Sequence, residues 1–396
     1  MKNQIAIPVA LQLVVDDVGW HNGADERHLG KPSRSGLPRM HHPLDYEALN
    51  AIGKGLNMKI VCSLVLGEWD KDNLLRGVPH VTYNQEGWDR ASEIDMEYAQ
   101  RCLEALEGGE YLDYALHGLL HEYYDHDVRI IGSQYYPYRY DEEKQCYTRE
   151  RTHIPEEEFE RQVQLFLEIY RSWGFQKEIS TFVSTAGTIG TYEENRGFAE
   201  VLKKYGIRYW SNSWGAETEK VSVQEGIICV KEFGIMPWNA YDVDPSYLAI
   251  KGEDGQPLPG CGYGAHLTNF IRYNPEKNTE LVSAWVDYFN RQAEVFGVML
   301  ARDNAFSASQ ALYHRFAGIQ ETEDGYEINL TEVDKQGATG LRQELYISLK
   351  NGIVPTGCIG GQITEYETRK AFKIYQIRRD GSSTVKIIAG GKEDAV

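Results

Sequence analysis

Residues 5–17 read IAIPVALQLVVDD: an apolar run, Ile5–Val15, that ends directly on two adjacent aspartates, Asp16 and Asp17. Such a run, interrupted only by Pro8 and Gln12, predicts a strand buried on both faces, the kind that parallel sheets use. A secretory leader would close on small residues at a cleavage site, and this run closes on carboxylates instead. It is therefore read as the first strand of a folded domain.

The same texture recurs outward along the chain. Lys59–Leu66 (KIVCSLVL), Tyr111–Leu116, Glu178–Val183, Ile207–Trp210 and Ile227–Phe233 predict strands, with weaker candidates at Cys261–Ala265 and Val295–Ala301. Helical patterns lie between them. One starts at Asp45, with Leu49, Ile52 and Leu56 on one face, and another covers Arg90–Leu106 and stops at Gly108-Gly109. Pro155 opens the clearest helix, with Glu156, Glu157 and Glu158 in its electropositive first turn and Phe159, Val163, Phe166, Tyr170 and Trp173 at helical spacing. Glu193–Tyr205 and Pro275–Glu294 complete the set.

Strand–helix alternation implies parallel pairing, and about eight units imply closure. The expected class is α/β: a distorted β/α barrel of seven or eight parallel strands over residues 1–320. A doubly wound open sheet would show a glycine-rich phosphate turn where Asp16-Asp17-Val18-Gly19 stands. From residue 321 to 396 the pattern changes to Gly325–Leu330, Arg342–Leu349, Ala371–Arg378 and Thr384–Ile388, short strands between turn residues, with no convincing helix. This predicts a small β-rich C-terminal module. Residues 122–153 read as an aromatic-rich inserted loop.

Composition narrows the partners. Fifty-nine acidic against 41 basic side chains give a net charge of −18, which argues against nucleic acid or an anionic membrane as partner. No run approaches the ~18 apolar residues of a membrane span, so the cytoplasm is the expected location. The six cysteines are scattered without a C-x-x-C pair, which argues against a thiolate zinc site and a disulfide framework. Cys62 and Cys229 sit in apolar runs and read as small buried hydrophobes.

A parallel barrel gathers its chemistry at the C-terminal ends of its strands. At those ends stand Asp16 and Asp17, then Glu68, Trp69 and Asp70, then His117 and His121, then Ser184 and Thr185, Asn212 and Trp214, Trp238 and Asn239, His266, and Arg302 with Asp303. Loops are polar anyway, but two aspartates closing an apolar strand need more explanation than that. If residues 117–121 begin a helical turn, the two imidazoles at i and i+4 face one ion. One aspartate and two histidines suit a single divalent ion, zinc by ligand type, with a position left for water. His21, His28, His41 and His42 fall in the loop after the first strand, where most are expected to be exposed.

These residues resemble the polysaccharide deacetylase family, metal-dependent N- and O-deacetylases on a distorted β/α barrel. Val14-Val15-Asp16-Asp17-Val18-Gly19 resembles the family's strand-end aspartate pair, and His117-Gly118-Leu119-Leu120-His121 resembles its histidine motif. Residues 181–188 with 205–209 resemble its fourth-strand segment. The resemblance implies Asp16 as catalytic base and Asp17, His117 and His121 as metal ligands. It implies His266 as the late catalytic histidine. Where the family carries an Arg-x-Pro element, this chain has Phe182-Val183-Ser184-Thr185, so no arginine is assigned to orient the base. The gap between the first two motifs is also about twice the expected one.

The expected activity is hydrolysis of an acetyl group from an N- or O-acetylated carbohydrate or another acylated small molecule. Glu68, Trp69, Trp214, Trp238 and Asp303 are the candidate substrate contacts. Two rivals remain from the residues alone. One is a metal-independent glycoside hydrolase pairing Asp16 or Asp17 with Asp303 or Glu68. The other is a carbohydrate-binding barrel without turnover.

Overall fold

A computed structural model describes residues 4–19, 37, 39–125, 129–212, 221–234, 236–248 and 260–390. Seven parallel strands form the barrel ring: β1 (Ala10–Val18), β2 (Ile60–Val65), β3 (Leu112–Gly118), β4 (Ile179–Val183), β5 (Tyr209–Asn212), β6 (Ile227–Phe233) and β7 (Gly262–His266). They pair in the order β5-β4-β3-β2-β1-β7-β6, and β6 pairs back with β5, which closes the barrel. The expected first strand is divided: Ile5–Ala6 belongs to another sheet, and only Ala10–Val18 enters the barrel. The expected eighth strand shrinks to Met299–Leu300, which pairs with β1 at Ala10 and Leu11, below the short β7. Seven strands, not eight, therefore form the closed ring among the described residues.

Side chains alternate between two cores, as the period of two requires. Leu11, Leu13 and Val15 point outward to a shell of helices, whereas Val14, Val61, Ala115 and Val183 fill the lumen. The shell includes α1 (Pro43–Leu56), α2 (Met96–Gly108), α3 (Glu156–Ser172), α4 (Arg196–Lys204) and α5 (Thr279–Phe296). His42 caps α1: its ring nitrogen accepts from Leu44 N–H while Asp45 accepts from the His42 N–H at 2.7 Å. That histidine is a structural cap. On α3, Phe159, Val163, Phe166, Ile169 and Tyr170 are buried, so the periodic face meets the barrel as expected.

One helix had no sequence signal. α6 (Asn304–Phe316) lies across the N-terminal end of the lumen, and Asn304 and Phe306–Tyr313 are all buried. Polar groups on it are matched to backbone: Ser307 Oγ–H donates to Ala10 O at 2.7 Å, and Gln310 Nε2–H donates to Pro8 O and Tyr346 O. A helix buried on most sides carries no amphipathic stripe to read.

The C-terminal region is a pair of four-stranded antiparallel sheets that share a core including Ile328, Ile347, Ile377 and Val385. Ile5–Ala6 pairs with Glu344–Lys350 there, so the chain's start and end are tied together. The expected absence of a helix is corrected by one short turn of α-helix, Thr331–Lys335. The expected loop 122–153 is corrected as well: it holds an antiparallel sheet of Glu122–Tyr124, Ile130–Ser133, Tyr136–Asp141 and Cys146–Arg151. No helix among the described residues is long and apolar enough to cross a membrane.

Candidate metal centre

The two aspartates would normally point to opposite faces of a strand. Here the strand is bulged. Val15 pairs with Cys62 and Val18 with Leu64, so β1 carries one residue more than β2 across that interval. Asp17 takes φ 60°, the left-handed conformation that aspartate tolerates better than most residues. A bulge of this kind re-aims a side chain at a sheet rim. It brings both carboxylates to the same end of the lumen, where both are buried.

The histidines converge by a similar device, and not by helical spacing. His117 belongs to β3, where Leu116 pairs with Leu64 and Gly118 with Val65, leaving His117 as the extra residue. His121 lies in the following turn at φ 67°. His117 Nδ1–H donates to Val183 O at 2.8 Å, and His121 Nδ1 lies 3.2 Å from Glu122 Oε1. Both rings therefore present Nε2 inward, at 3.7 Å and 3.9 Å from Asp17 Oδ1. The ligand atoms of all three residues lie within 4.8 Å of one another. Tetrahedral zinc with bonds of about 2.1 Å separates its ligands by ~3.4 Å, so small shifts would close this set on an ion.

Two further observations test the fit. His117 Nε2 is buried without a hydrogen-bond partner, an unusual state for a buried polar atom. Burial works against a proton on His117, yet Asp16 and then Asp17 outweigh it and hold the ring's pKa above the ordinary histidine value. The site thus favours positive charge at the place where a cation would sit. The donor set, its second contacts and its field all fit a divalent ion.

The inserted sheet explains the long gap between the two motifs. Gln134, on its second turn, accepts from Leu119 N–H at 2.8 Å and from His121 N–H at 3.1 Å through Oε1, while its own N–H donates to His121 O at 2.7 Å. A Cβ on Gly118 would lie 2.5 Å from that Oε1, so only glycine fits there without displacing the amide. Gln134→Leu is expected to loosen the His121 turn and weaken any divalent ion's hold on the candidate site by roughly 10–100-fold, the usual effect of losing an outer contact. Competition with a chelator reads it, and unchanged affinity would remove Gln134 from the site.

His266 ends β7 beside Asp16, its register partner on β1. Its Nδ1–H donates to Met236 O at 2.8 Å, which leaves Nε2 as the exchangeable nitrogen. Trp238 follows on the same loop and is 48% exposed, its carbonyl held by the Thr268 hydroxyl. These two join Asp16, Asp17, His117 and His121 at the C-terminal end of the barrel.

Other expected contacts are placed elsewhere. Trp69 is fully buried, edge-on to Trp173 at 5.2 Å and against Phe175, so it is a core residue and cannot stack on a sugar. Asp303 caps α6 by accepting from Phe306 N–H and pairs with Arg342 at 2.9 Å. It stands at the N-terminal end of the barrel, since Arg302 O accepts from Lys59 N–H just before β2 begins. Glu68 is near the correct rim but held by buried Arg90 at 3.0 Å. Asp303, at the opposite end of the barrel, is not placed to form a glycosidase pair with Asp16, and Glu68 is tied up by Arg90. His41 is buried, not exposed, and burial pushes its pKa down to about 4. Trp214, His21 and His28 lie outside the described residues.

One buried acid escaped the sequence reading. Glu232 on β6 is 2% exposed, and burial first, then the Asp16 carboxylate, push its pKa up to about 8 against the Ser211 hydroxyl. Its signal was parity: it shares a strand face with Ile228 and Val230 and should therefore point into the core. The raised pKa fixes a sign. Between 4.5 and about 8 the unfolded chain releases this proton and the folded chain keeps it, so stability falls as pH rises through that window. Glu232→Gln is expected to gain Tm on the wild type between pH 5 and pH 8, read by thermal unfolding at each pH. A constant difference across the window would contradict a neutral Glu232.

No family model and no curated protein matches this sequence. Among solved structures, the chain is similar to Agd3, described as a novel carbohydrate deacetylase, with a TM-score of 0.52 and 9% identity over 96% of this chain and 65% of that one. The chain thus spans just under two thirds of that protein's length, and the likeness is one of fold. A proposed polysaccharide deacetylase from Mycobacterium smegmatis gives a TM-score of 0.38 at 11% identity, covering 74% of this chain and 86% of that one. A 4-alpha-glucanotransferase from Thermococcus litoralis gives 0.37 at 12% identity, covering 74% and 39%. Scores this low carry no argument.

Proposed function

We propose that this protein is a metal-dependent hydrolase that removes an acetyl group from an N- or O-acetylated carbohydrate. The observation that carries the reading is the convergence of Asp17, His117 and His121, ligand atoms inward, on the C-terminal rim of a parallel barrel. The fold shared with a protein described as a carbohydrate deacetylase supports it.

Asp17, His117 and His121 would hold the ion. A divalent cation there would polarise the acyl oxygen and make water a stronger acid. Asp16 takes the proton of the water that attacks the acyl carbon. His266, from the neighbouring strand end, delivers a proton to the leaving nitrogen or oxygen as the C–N or C–O bond breaks. Acetate and the free amine or alcohol are the products. Trp238, exposed beside His266, offers an aromatic face to a sugar ring.

Zinc-loaded protein is expected to release acetate from N- or O-acetylated oligosaccharides, and chelation is expected to abolish that release. Metal-free protein as active as the loaded form would sink the reading. Trp238→Ala is expected to raise KM about tenfold with little change in kcat, as loss of uniform binding does. An unchanged KM would take Trp238 out of the substrate path.

A further inference from the structure

Arg302 stands at the end of the barrel opposite the metal ligands, where its carbonyl accepts from Lys59 N–H. Beside it lies a cavity of about 570 Å³ on the seam between the barrel and the C-terminal sheets. Asn57 caps α1 there, the last turns of α5 bring Asn290 and Glu294, and the strands Gly361–Thr368 and Phe372–Arg379 bring Tyr366 and Phe372. The volume falls within the roughly 300–1,000 Å³ of small-molecule sites, which combine apolar walls with a few fixed polar groups.

The Arg302 guanidinium is the group in need of a partner. Its Cζ lies 5.2, 5.6 and 5.7 Å from the ring centroids of Phe306, Tyr346 and Tyr366. Nη2–H donates to the Tyr346 hydroxyl, which also accepts from Gln376 at 2.9 Å, and Nε is buried without a partner. No acid among the described residues neutralises it: Asp303 pairs with Arg342, and Glu367 with Arg369. A partly buried cation is ordinarily met by an anion, and aromatic faces supply only part of that compensation. Lys370 lines the same cavity and is exposed. With the Arg369–Glu367 pair set aside, Arg302 and Lys370 outnumber Glu294, a local surplus of positive charge on a chain of net charge −18. Helix ends do not account for it, because the last carbonyls of α1 and α5 are answered by the N–H groups of Asn57 and Gly297. Tyr366, 37% exposed, adds an aromatic ring to the wall.

We propose that this cavity is a second saccharide site, one that takes a sugar acid. The carboxylate meets the Arg302 guanidinium in a charge-assisted hydrogen bond, and the sugar ring packs on Tyr366. Asn57, Asn290 and Glu294 bond the hydroxyls. The site takes no part in the chemistry at Asp17, His117 and His121 and serves to hold an acidic glycan on the protein. The anion is argued from Arg302 alone, whereas the choice of a sugar as its carrier rests on the proposed function.

Calorimetric titration of the full zinc-loaded chain with digalacturonic acid is expected to give a Kd below about 1 mM. Arg302→Gln is expected to weaken it at least about tenfold, as loss of a hydrogen bond to a charged group does. Tyr366→Ala, at a partly exposed ring, is expected to weaken it about fivefold and guards against a folding defect in the first variant. No binding by the wild type, or wild-type affinity in both variants, overturns the site. Cellobiose bound as tightly as digalacturonic acid overturns the carboxylate contact, and succinate bound as tightly overturns the sugar. Both variants are expected to keep acetate release from a neutral acetylated oligosaccharide, and its loss in either folded variant overturns the separation of the two sites. A wild type without acetate release would instead defeat the functional reading, and the titrations would still decide the cavity.

Discussion

Asp16→Asn is expected to lower kcat by about 10³-fold while one zinc ion per chain is retained. General-base catalysis contributes roughly 10²–10⁴-fold, and asparagine keeps the shape of aspartate while losing its proton affinity. Under the proposed function the two adjacent carboxylates have separate tasks, and the bulge in β1 is what would divide them. Asp17 Oδ1 lies within 4 Å of both imidazoles, whereas Asp16 stands beside His266, its register partner. KM is expected to change little, since the loss falls on the transition state. Acetate release with metal analysis of the same samples reads both quantities. If the asparagine variant loses its zinc, the roles of the two aspartates are exchanged.

The second large effect is loss of the ion itself. His117→Ala is expected to lose zinc and turnover together, by more than the 10–100-fold in affinity that an outer contact costs. His117 is wholly buried, so no solvent-borne side chain can replace it. Its Nδ1–H bond to Val183 O fixes the ring before any ion arrives. The alanine variant also leaves a cavity in the lumen, which lowers stability by roughly 2–4 kcal/mol. His117→Gln, which fills most of that space, separates the two effects. Full zinc affinity in a folded His117→Gln variant would refute the ligand assignment.

Legibility differed by residue. The aspartate pair was visible because charge at the end of an apolar strand is a local anomaly. His117 and His121 were visible as a pair, but the reason given for their convergence, a helical turn, was wrong. A strand bulge and a left-handed turn do that work, and neither has a signature in residue type alone. Trp69 and Asp303 were misplaced for a related reason. Proximity to a strand end does not say which way a side chain turns, and of the expected strand Val295–Ala301 only Met299–Leu300 pairs, with Ala10 and Leu11.

Local periodicity was enough to determine the alternating strands and helices, the closed parallel class and the rim that carries the chemistry. Those follow from patterns of two and 3.6 residues, which short-range sterics and burial impose on any chain. Tertiary structure alone decided that seven strands close the ring, that α6 seals the lumen and that the inserted sheet holds the His121 turn through Gln134. It alone buried Glu232 beside the bare Cα of Gly262. Each of these depends on contacts between residues far apart in the chain, such as Gln310 with Tyr346 and Gly262 with Glu232. Packing selects such contacts only once the whole barrel has formed, because a buried polar group finds its partner in space and not in sequence.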